Sequence, residues 1–132
     1  MDISVDTSII MAVILNEPTK PVLLQLTEGA DLRSAASLPW EVGNALTALF
    51  KRGRIELGQA EKAVESFEAI PVRLADVDLR EAVKLGHEYG IYAYDAYVLE
   101  CARRYATPLL SLDGPQCRIA RTLGIEVLEV EP

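Results

Sequence analysis

The sequence has little of the chemistry that holds small secreted or zinc-binding proteins together. It contains two cysteines and one histidine among 132 residues, and Cys101 and Cys117 are not in a Cys-x-x-Cys spacing. We therefore expect both thiols to be reduced and no structural zinc site to form. Any metal would have to be held by oxygen ligands, which favours magnesium or manganese over zinc.

Long hydrophobic runs are also absent. The longest, Ile9–Leu15, has seven residues and is too short to span a bilayer. The N-terminus lacks the basic start of a secretory signal, so a cytoplasmic protein without membrane contact is expected. The same run exceeds what one amphipathic helix buries, which predicts a dimer surface or a partner surface there.

Basic charge is scarce as well, with 13 Lys and Arg against 20 Asp and Glu, a net charge of -7. A generic nucleic-acid binder carries a basic face, so this balance counts against one unless several acids gather around bound cations. Three basic groups either attract nucleic acid or are solvated helix ends. They are Lys51 with Arg52 and Arg54, Arg103 with Arg104, and Arg118 with Arg121.

What the chain has is a composition and pattern typical of one α/β domain over residues 1–132. Half of its residues are hydrophobic and 25% are charged. Strands are predicted at Ile3–Asp6, Asp31–Ala36, Ile70–Leu74, Pro108–Leu112 and Ile125–Val130. Helices are predicted at Ile9–Leu15 with Thr7 or Ser8 as its cap, Lys20–Glu28, Leu38–Arg52, Leu57–Ala69, Asp78–Tyr89, Tyr94–Tyr105 and Gln116–Leu123. This alternation predicts a parallel sheet covered by helices on both faces.

Four acids lie where an acid is locally unexpected. Asp6 and Asp113 each follow a predicted buried strand, at the sheet edge where parallel α/β folds bind ligands. Asp95 lies in an apolar, aromatic stretch and needs a partner or a metal there. Glu41 lies in the first turn of an apolar helix. Taken singly, Asp6 is also readable as a helix cap, Asp113 as a turn residue and Glu41 as a surface acid.

The ordered set of motifs around these acids resembles the PIN-domain nucleases, in particular the VapC-type toxins of toxin–antitoxin pairs. The motifs are Val5-Asp6-Thr7-Ser8, Glu41-x-x-Asn44-Ala45-Leu46, Tyr94-Asp95-Ala96 and Ser111-x-Asp113-Gly114. They span nearly the whole chain, from residue 3 to about 130. The family's usual Thr-x-Asp is Ser-x-Asp in this sequence, which keeps the hydroxyl group.

The resemblance implies a Rossmann-like fold with a five-stranded, mainly parallel sheet. It also implies endoribonuclease activity with Mg²⁺ or Mn²⁺, inhibition by a VapB-type antitoxin, and homodimerisation. Asp6, Glu41, Asp95 and Asp113 match the family's active-site acids, and Ser8, Asn44 and Ser111 match supporting polar positions. Asp6 and Asp95 are the expected principal metal ligands.

The chemistry of such a site predicts strain in the metal-free protein. Like charges about 5 Å apart cost about 3 kcal/mol per pair at an effective dielectric near 20. We therefore expect raised carboxyl pKa values and a protein that metal stabilises.

Two other functions compete with the nuclease. One is a PIN-like module that binds RNA or an antitoxin without cutting. The other is a phosphatase with Asp6 as nucleophile, which is disfavoured because the expected Asp-x-Asp has Ser8 in its second position. His87 is not expected to be catalytic. Trp40 and the tyrosines at 89, 92, 94 and 97 either stack on bases or, as we favour, pack in the core or an interface.

Overall fold

A four-stranded parallel sheet forms the centre of the protein, in a computed structural model that describes residues 1–131. The strands, in spatial order β3-β2-β1-β4, are β1 (Asp2–Val5), β2 (Asp31–Ala35), β3 (Val72–Ala75) and β4 (Leu109–Leu110). Every pairing is parallel, with Asp2 opposite Asp31 and Val5 opposite Leu110. The predicted α/β fold with a parallel sheet is confirmed.

The prediction of a fifth full strand is wrong. Residues 125–130 pair with the sheet only through one bridge, between Leu109 and Val127. Two backbone hydrogen bonds hold it, from Leu109 N–H to the Glu126 carbonyl at 2.8 Å and from Leu128 N–H to the Leu109 carbonyl at 2.9 Å. Pairing stops there because β4 has only two residues: Pro108 has no N–H, and the chain turns away after Leu110.

Seven helices surround the sheet in the described residues. They are α1 (Thr7–Ile14), α2 (Lys20–Leu26), α3 (Leu38–Lys51), α4 (Leu57–Glu68), α5 (Leu79–Tyr89), α6 (Ala93–Arg104) and α7 (Gly114–Thr122). The caps of two helices differ from prediction. Asp6 caps α1 where Thr7 or Ser8 was expected, and α7 begins at Gly114 because Asp113 caps it and Pro115 suits the first turn.

The alternation of side chains along β1 separates two hydrophobic layers. Ile3 and Val5 are fully buried among residues of α1, α2 and α3. Ser4 points to the opposite face, where its hydroxyl lies 2.6 Å from that of Thr107 and 3.8 Å from the Cys101 thiol. On that face α5, α6 and α7 form the second layer around Leu99 and Leu109. The sheet is therefore covered on both sides, as predicted.

The apolar run Ile9–Leu15 is used inside the fold. Ile9, Ile10, Ala12 and Ile14 are buried, and Met11, Val13 and Leu15 pack against the same core cluster. The run is therefore used mainly in the core, and the dimer or partner surface expected there stays a prediction for the partly buried Met11, Val13 and Leu15. Both cysteines are free thiols, and no helix in residues 1–131 is long and apolar enough to cross a membrane.

Candidate active site

The four sequence-predicted acids all lie at the beginnings of helices. Asp6 follows β1 as the N-cap of α1, and Asp113 follows β4 as the N-cap of α7. Glu41 and Asp95 lie in the first turns of α3 and α6. Because β1 and β4 are parallel neighbours, their carboxyl ends bring Asp6 and Asp113 to one edge of the sheet. The helix starts also place the positive ends of four helix dipoles at these carboxylates.

Asp6 is the most enclosed of the four, with 9% of its surface exposed. Its Oδ1 accepts the backbone N–H groups of Ser8 at 3.1 Å and Ile9 at 3.4 Å, which is the helix cap. The same oxygen accepts the Ser8 hydroxyl, and Oδ2 accepts the Ser111 hydroxyl. Capping and site membership are therefore two roles of one side chain.

The two serine hydroxyls connect Asp6 to the loop that carries Asp113. The Ser8 Oγ accepts the Leu112 N–H at 2.9 Å, and the Ser111 Oγ accepts the Asp113 N–H at 3.0 Å. Each hydroxyl thus donates to Asp6 and accepts from the loop. The supporting positions predicted for Ser8 and Ser111 have a physical basis in these contacts.

Glu41 reaches the site through two further hydroxyl groups. The Thr7 hydroxyl donates to Glu41 Oε1 at 2.9 Å, and the Ser37 hydroxyl donates to Oε2 at 2.6 Å. Thr7 follows Asp6 directly, so this contact holds the start of α3 against the start of α1. Glu41, whose assignment depended mainly on the family resemblance, is thereby connected to Asp6 through Thr7.

Gln116 joins the remaining two acids. It is buried in the first turn of α7, where its backbone N–H donates to Asp113 Oδ1 at 3.1 Å. Its side-chain amide donates to the backbone carbonyl of Asp95 at 2.9 Å. Gln116 thereby positions the start of α6 relative to the start of α7.

Burial and like charge both raise the pKa of three of these acids. Burial is the main cause for Asp6, Glu41 and Asp95. The negative charge of Asp113 further raises the pKa of Asp6 and of Asp95, and Asp6 and Asp95 both raise the pKa of Glu41. For Asp6, Glu41 and Asp95 the direction agrees with the raised pKa values expected from the sequence.

These shifts set the sign of the pH dependence of stability. Between the ordinary and the raised pKa, the folded protein holds more protons on these acids than the unfolded chain does. Stability therefore falls as the pH rises through that interval, and it recovers as the groups are protonated. None of the five ion pairs in residues 1–131 involves any of the four acids, so no basic side chain bound to them offsets the repulsion.

The four acids are of the chemical type that binds a divalent cation, although they are not already arranged as a complete set of ligands. All four side chains offer carboxylate oxygens, the ligands that Mg²⁺ and Mn²⁺ prefer. In residues 1–131 no three acid, histidine or cysteine side chains are arranged as a ready metal site. Such an arrangement fits a cation that is coordinated partly through water molecules, which Mg²⁺ retains readily. The acids present fit the metal, and its charge would relieve their mutual repulsion.

Neutralising Asp95 is expected to stabilise the metal-free protein. Among residues 1–131 no donor contacts its carboxylate, so Asp95→Asn removes repulsion from Asp113 and Glu41 without losing a hydrogen bond. The melting temperature in EDTA should rise by about 2–4 °C at low salt and by less at high salt. Exposed Asp31 provides the control, since Asp31→Asn should leave the melting temperature unchanged.

Mg²⁺ should reverse the order of the melting temperatures of the wild-type and Asp95→Asn proteins. Mg²⁺ should raise the melting temperature of the wild-type chain in a concentration-dependent way, and that of Asp95→Asn much less. An Asp95→Asn melting temperature at or below wild type in EDTA would contradict the repulsion described above.

Other predicted residues lie away from these contacts. Asn44 is exposed one turn beyond Glu41, and His87 is exposed in the last turn of α5. Lys51 ends α3, about 15 Å along the helix from Glu41, and Arg103 and Arg104 end α6. Arg103 pairs with Glu81 and Glu100. Neither of these two basic groups is beside the acids.

Core packing is found for only some of the aromatic residues named in the sequence analysis. Tyr89 and Tyr97 pack against the second core layer. Trp40 and Tyr92 are instead 72% and 87% exposed, which excludes the core for them; packing in an interface stays a prediction.

Three contributors were missed by the sequence reasoning: Thr7, Ser37 and Gln116. Thr7 was assigned only to capping, and Ser37 directly precedes the predicted α3, where a hydroxyl residue is normally read as a cap. Gln116 was taken as the first residue of a helix. Their partners are 34, 4 and 21 positions away along the chain. A small polar residue next to a suspected site acid was the available signal for Thr7; nothing in the local sequence singles out Gln116.

The chain belongs to the PIN domain family, whose sequence profile matches residues 3–122. PIN domains are in general nucleases, and PIN nucleases generally use divalent metals. A search of curated proteins gave no match. The expected family is therefore confirmed by the sequence profile and by the fold.

Solved structures show the same fold at low sequence identity. PAE2754 from Pyrobaculum aerophilum superposes with a TM-score of 0.69 at 20% identity, over 93% of this chain and 95% of that one. VapBC2 from Rickettsia felis, bound to a DNA fragment from their promoter, superposes with a TM-score of 0.71 at 13% identity, over 99% of this chain and 100% of that one. A domain of a functionally unknown Methanocaldococcus jannaschii protein superposes with a TM-score of 0.56 at 20% identity, over 99% of this chain and 91% of that one.

Proposed function

We propose that this protein is a Mg²⁺- or Mn²⁺-dependent endoribonuclease and the toxin of a VapC-type toxin–antitoxin pair, with Asp6, Glu41, Asp95 and Asp113 as its active-site acids. The observation that carries the proposal is a group of four acids at helix starts that form no ion pair within residues 1–131. Such a group costs stability unless a cation is used there. Family membership supplies the reaction class, hydrolysis of a phosphodiester bond.

The bound metal would lower the pKa of a water molecule and stabilise the leaving oxygen during that hydrolysis. The chain's own residues prepare the site for it. Ser8 and Ser111 orient both oxygens of Asp6, and Thr7 and Ser37 do the same for Glu41. Asp6 Oδ1 already accepts three donors, whereas Asp6 Oδ2 and both oxygens of Glu41 each accept one in residues 1–131 and keep a lone pair for coordination.

Asp95 and Asp113 are the other two proposed ligands, at the starts of α6 and α7. The Asp95 carboxylate accepts no hydrogen bond from residues 1–131, and Asp113 is exposed. Asp95 is therefore the acid with most capacity for direct coordination, with Asp6 as the second principal ligand. Exposed Asp113 suits a ligand that also orients the attacking water.

The partner proposals have separate support. An antitoxin is proposed because a similar structure is named as the VapBC2 complex and because the motifs resemble VapC-type toxins. Homodimerisation and a cytoplasmic location follow from that resemblance and from the RNA substrate. The mass of the purified protein in solution tests the dimer.

Expression of the chain in a bacterial host tests the proposed function. We expect growth arrest with new RNA 5′ ends, relieved by co-expression of the proposed antitoxin, sought as a small protein encoded beside the chain. Glu41→Gln should abolish the arrest, whereas Glu61→Gln, at an exposed acid of α4, should not. If the wild-type chain binds the small protein but cleaves no RNA, the protein is a non-cleaving module and the proposal is wrong.

A further inference from the structure

A buried glutamine links the starts of α6 and α7. Gln116 is 3% exposed and lies in the first turn of α7. Its side-chain amide donates to the backbone carbonyl of Asp95, in the first turn of α6, at 2.9 Å. Between these two helices this is the one hydrogen bond in residues 1–131. It adds a directional contact to the apolar packing of α6 and α7 around Leu99 and Ala120.

Each of the two helix starts carries one of the proposed metal ligands. Asp113 caps α7, and its Oδ1 accepts the Gln116 N–H at 3.1 Å. Gln116 thus contacts both acids, Asp113 through its backbone and Asp95 through its side chain. Neither contact occupies the Asp95 carboxylate or Asp113 Oδ2, so these oxygens stay available to a cation.

Repulsion between the two acids acts against this arrangement. The negative charge of Asp113 raises the pKa of Asp95, so the two carboxylates are close enough to repel each other. In the metal-free protein that repulsion acts to separate the two helix starts. The Gln116 amide opposes the separation, because a buried N–H group that lost the Asp95 carbonyl would be left without a partner.

Divalent cations differ in how much variation in ligand spacing they tolerate. Mg²⁺ requires near-ideal octahedral geometry with oxygens at about 2.0–2.1 Å. Ca²⁺ accepts about six to eight oxygens at about 2.3–2.6 Å in flexible arrangements. A fixed separation between two carboxylates therefore favours Mg²⁺, and a variable separation removes that advantage over Ca²⁺.

We infer that Gln116 is a positioning residue that sets the separation of Asp95 and Asp113 and thereby the preference of the site for Mg²⁺ over Ca²⁺. This role rests on the proposed function, because it takes both acids as metal ligands. Gln116 acts through the two acids and is assigned no contact of its own with metal or RNA. The role is specific to the side-chain amide, since any residue except proline supplies the backbone N–H.

Cation binding to the purified protein, measured by titration calorimetry without RNA, tests this role. Gln116→Met keeps the length and unbranched shape of the side chain and removes its hydrogen-bond donor. It should weaken Mg²⁺ binding about tenfold and Ca²⁺ binding less than about threefold, as expected when a group that orients a ligand is lost. Gln116→Asn keeps an amide on a side chain that is one methylene group shorter, and it should change the ratio of the two dissociation constants in the same direction.

Tyr105→Phe provides the matched control. Tyr105 follows the last residue of α6, and its hydroxyl donates to the backbone carbonyl of Asp76 at 2.8 Å. Phe removes this side-chain donor about 15 Å along the helix from Asp95 and keeps the ring. The ratio of the Mg²⁺ and Ca²⁺ dissociation constants should therefore stay at its wild-type value.

Two results would overturn the role of Gln116 directly. One is an unchanged ratio in the Gln116 variants that circular dichroism shows to be folded, and the other is an equal change of the ratio in Tyr105→Phe. A wild-type chain that binds neither cation overturns both this role and the metal dependence of the proposed function. A chain that gives the expected ratios but cleaves no RNA refutes the proposed ribonuclease alone.

Discussion

Asp6→Asn is expected to reduce RNA cleavage about 10³-fold while leaving the fold intact. The loss follows because an amide gives up the charge that holds a divalent cation, which contributes several kcal/mol to transition-state stabilisation. The fold survives because Asn is as good an N-cap as Asp, so the contacts of its oxygen with the N–H groups of Ser8 and Ile9 are kept. Cleavage of labelled RNA and circular dichroism measure the two effects.

The chain offers a closely matched control for this substitution. Asp78 is the N-cap of α5, and its side chain accepts the Glu81 N–H at 3.2 Å, outside the site. Asp78→Asn repeats the same chemical change at the same helix position and should retain full activity. EDTA should abolish wild-type cleavage, and Mg²⁺ or Mn²⁺ should restore it. Metal-dependent cleavage by Asp6→Asn at the wild-type rate would remove Asp6 from the site.

Ser111→Ala is expected to lower cleavage at neutral pH by about 10–100-fold, the usual effect of losing a residue that orients a metal ligand. The Ser111 hydroxyl donates to Asp6 Oδ2 and accepts the Asp113 N–H, so its loss frees two of the four acids. Ser111→Thr keeps the hydroxyl and should retain most activity.

The same variant changes the pH dependence in a defined direction. Among the contacts of Asp6, the hydrogen bond from Ser111 is the largest that lowers its pKa. Removing it raises that pKa further, so the protonated, inactive form persists to higher pH. The acidic limb of the pH–rate profile should therefore move to higher pH in Ser111→Ala and stay in place in Ser111→Thr. A lower rate with an unmoved limb would show that Ser111 acts on Asp113 rather than on Asp6.

The layout of the fold followed from hydrophobic patterning, because buried strands and amphipathic helices leave local periodic signals. The predicted strand at Ile125–Val130 failed because its composition fits a strand while its neighbour β4 has only two residues to pair with. Strand formation depends on the partner, and the local sequence does not contain that information.

The acids were predictable to different degrees for physical reasons. Asp6 and Asp113 follow buried strands, and parallel strands end at one edge, so the sequence alone brings them near each other. Glu41 needed the family resemblance, because a first-turn acid has the same pattern whether it is solvated or functional. The hydroxyls of Thr7 and Ser37 and the amide of Gln116 depend on tertiary contacts and have no periodic signature.

The hydrogen bond from Ser111 to Asp6 spans 105 positions of the chain. During synthesis the N-terminal part emerges first, with Asp6 and Glu41 already present. Ser111, the partner of Asp6 in the loop after β4, follows only when residue 111 has been made. Until then the nascent chain carries three of the four acids without β4 and the loop that follows it. For a proposed ribonuclease this order protects the messenger RNA while the preceding residues are translated, since the site is assembled only after Ser111 and Asp113 have been added.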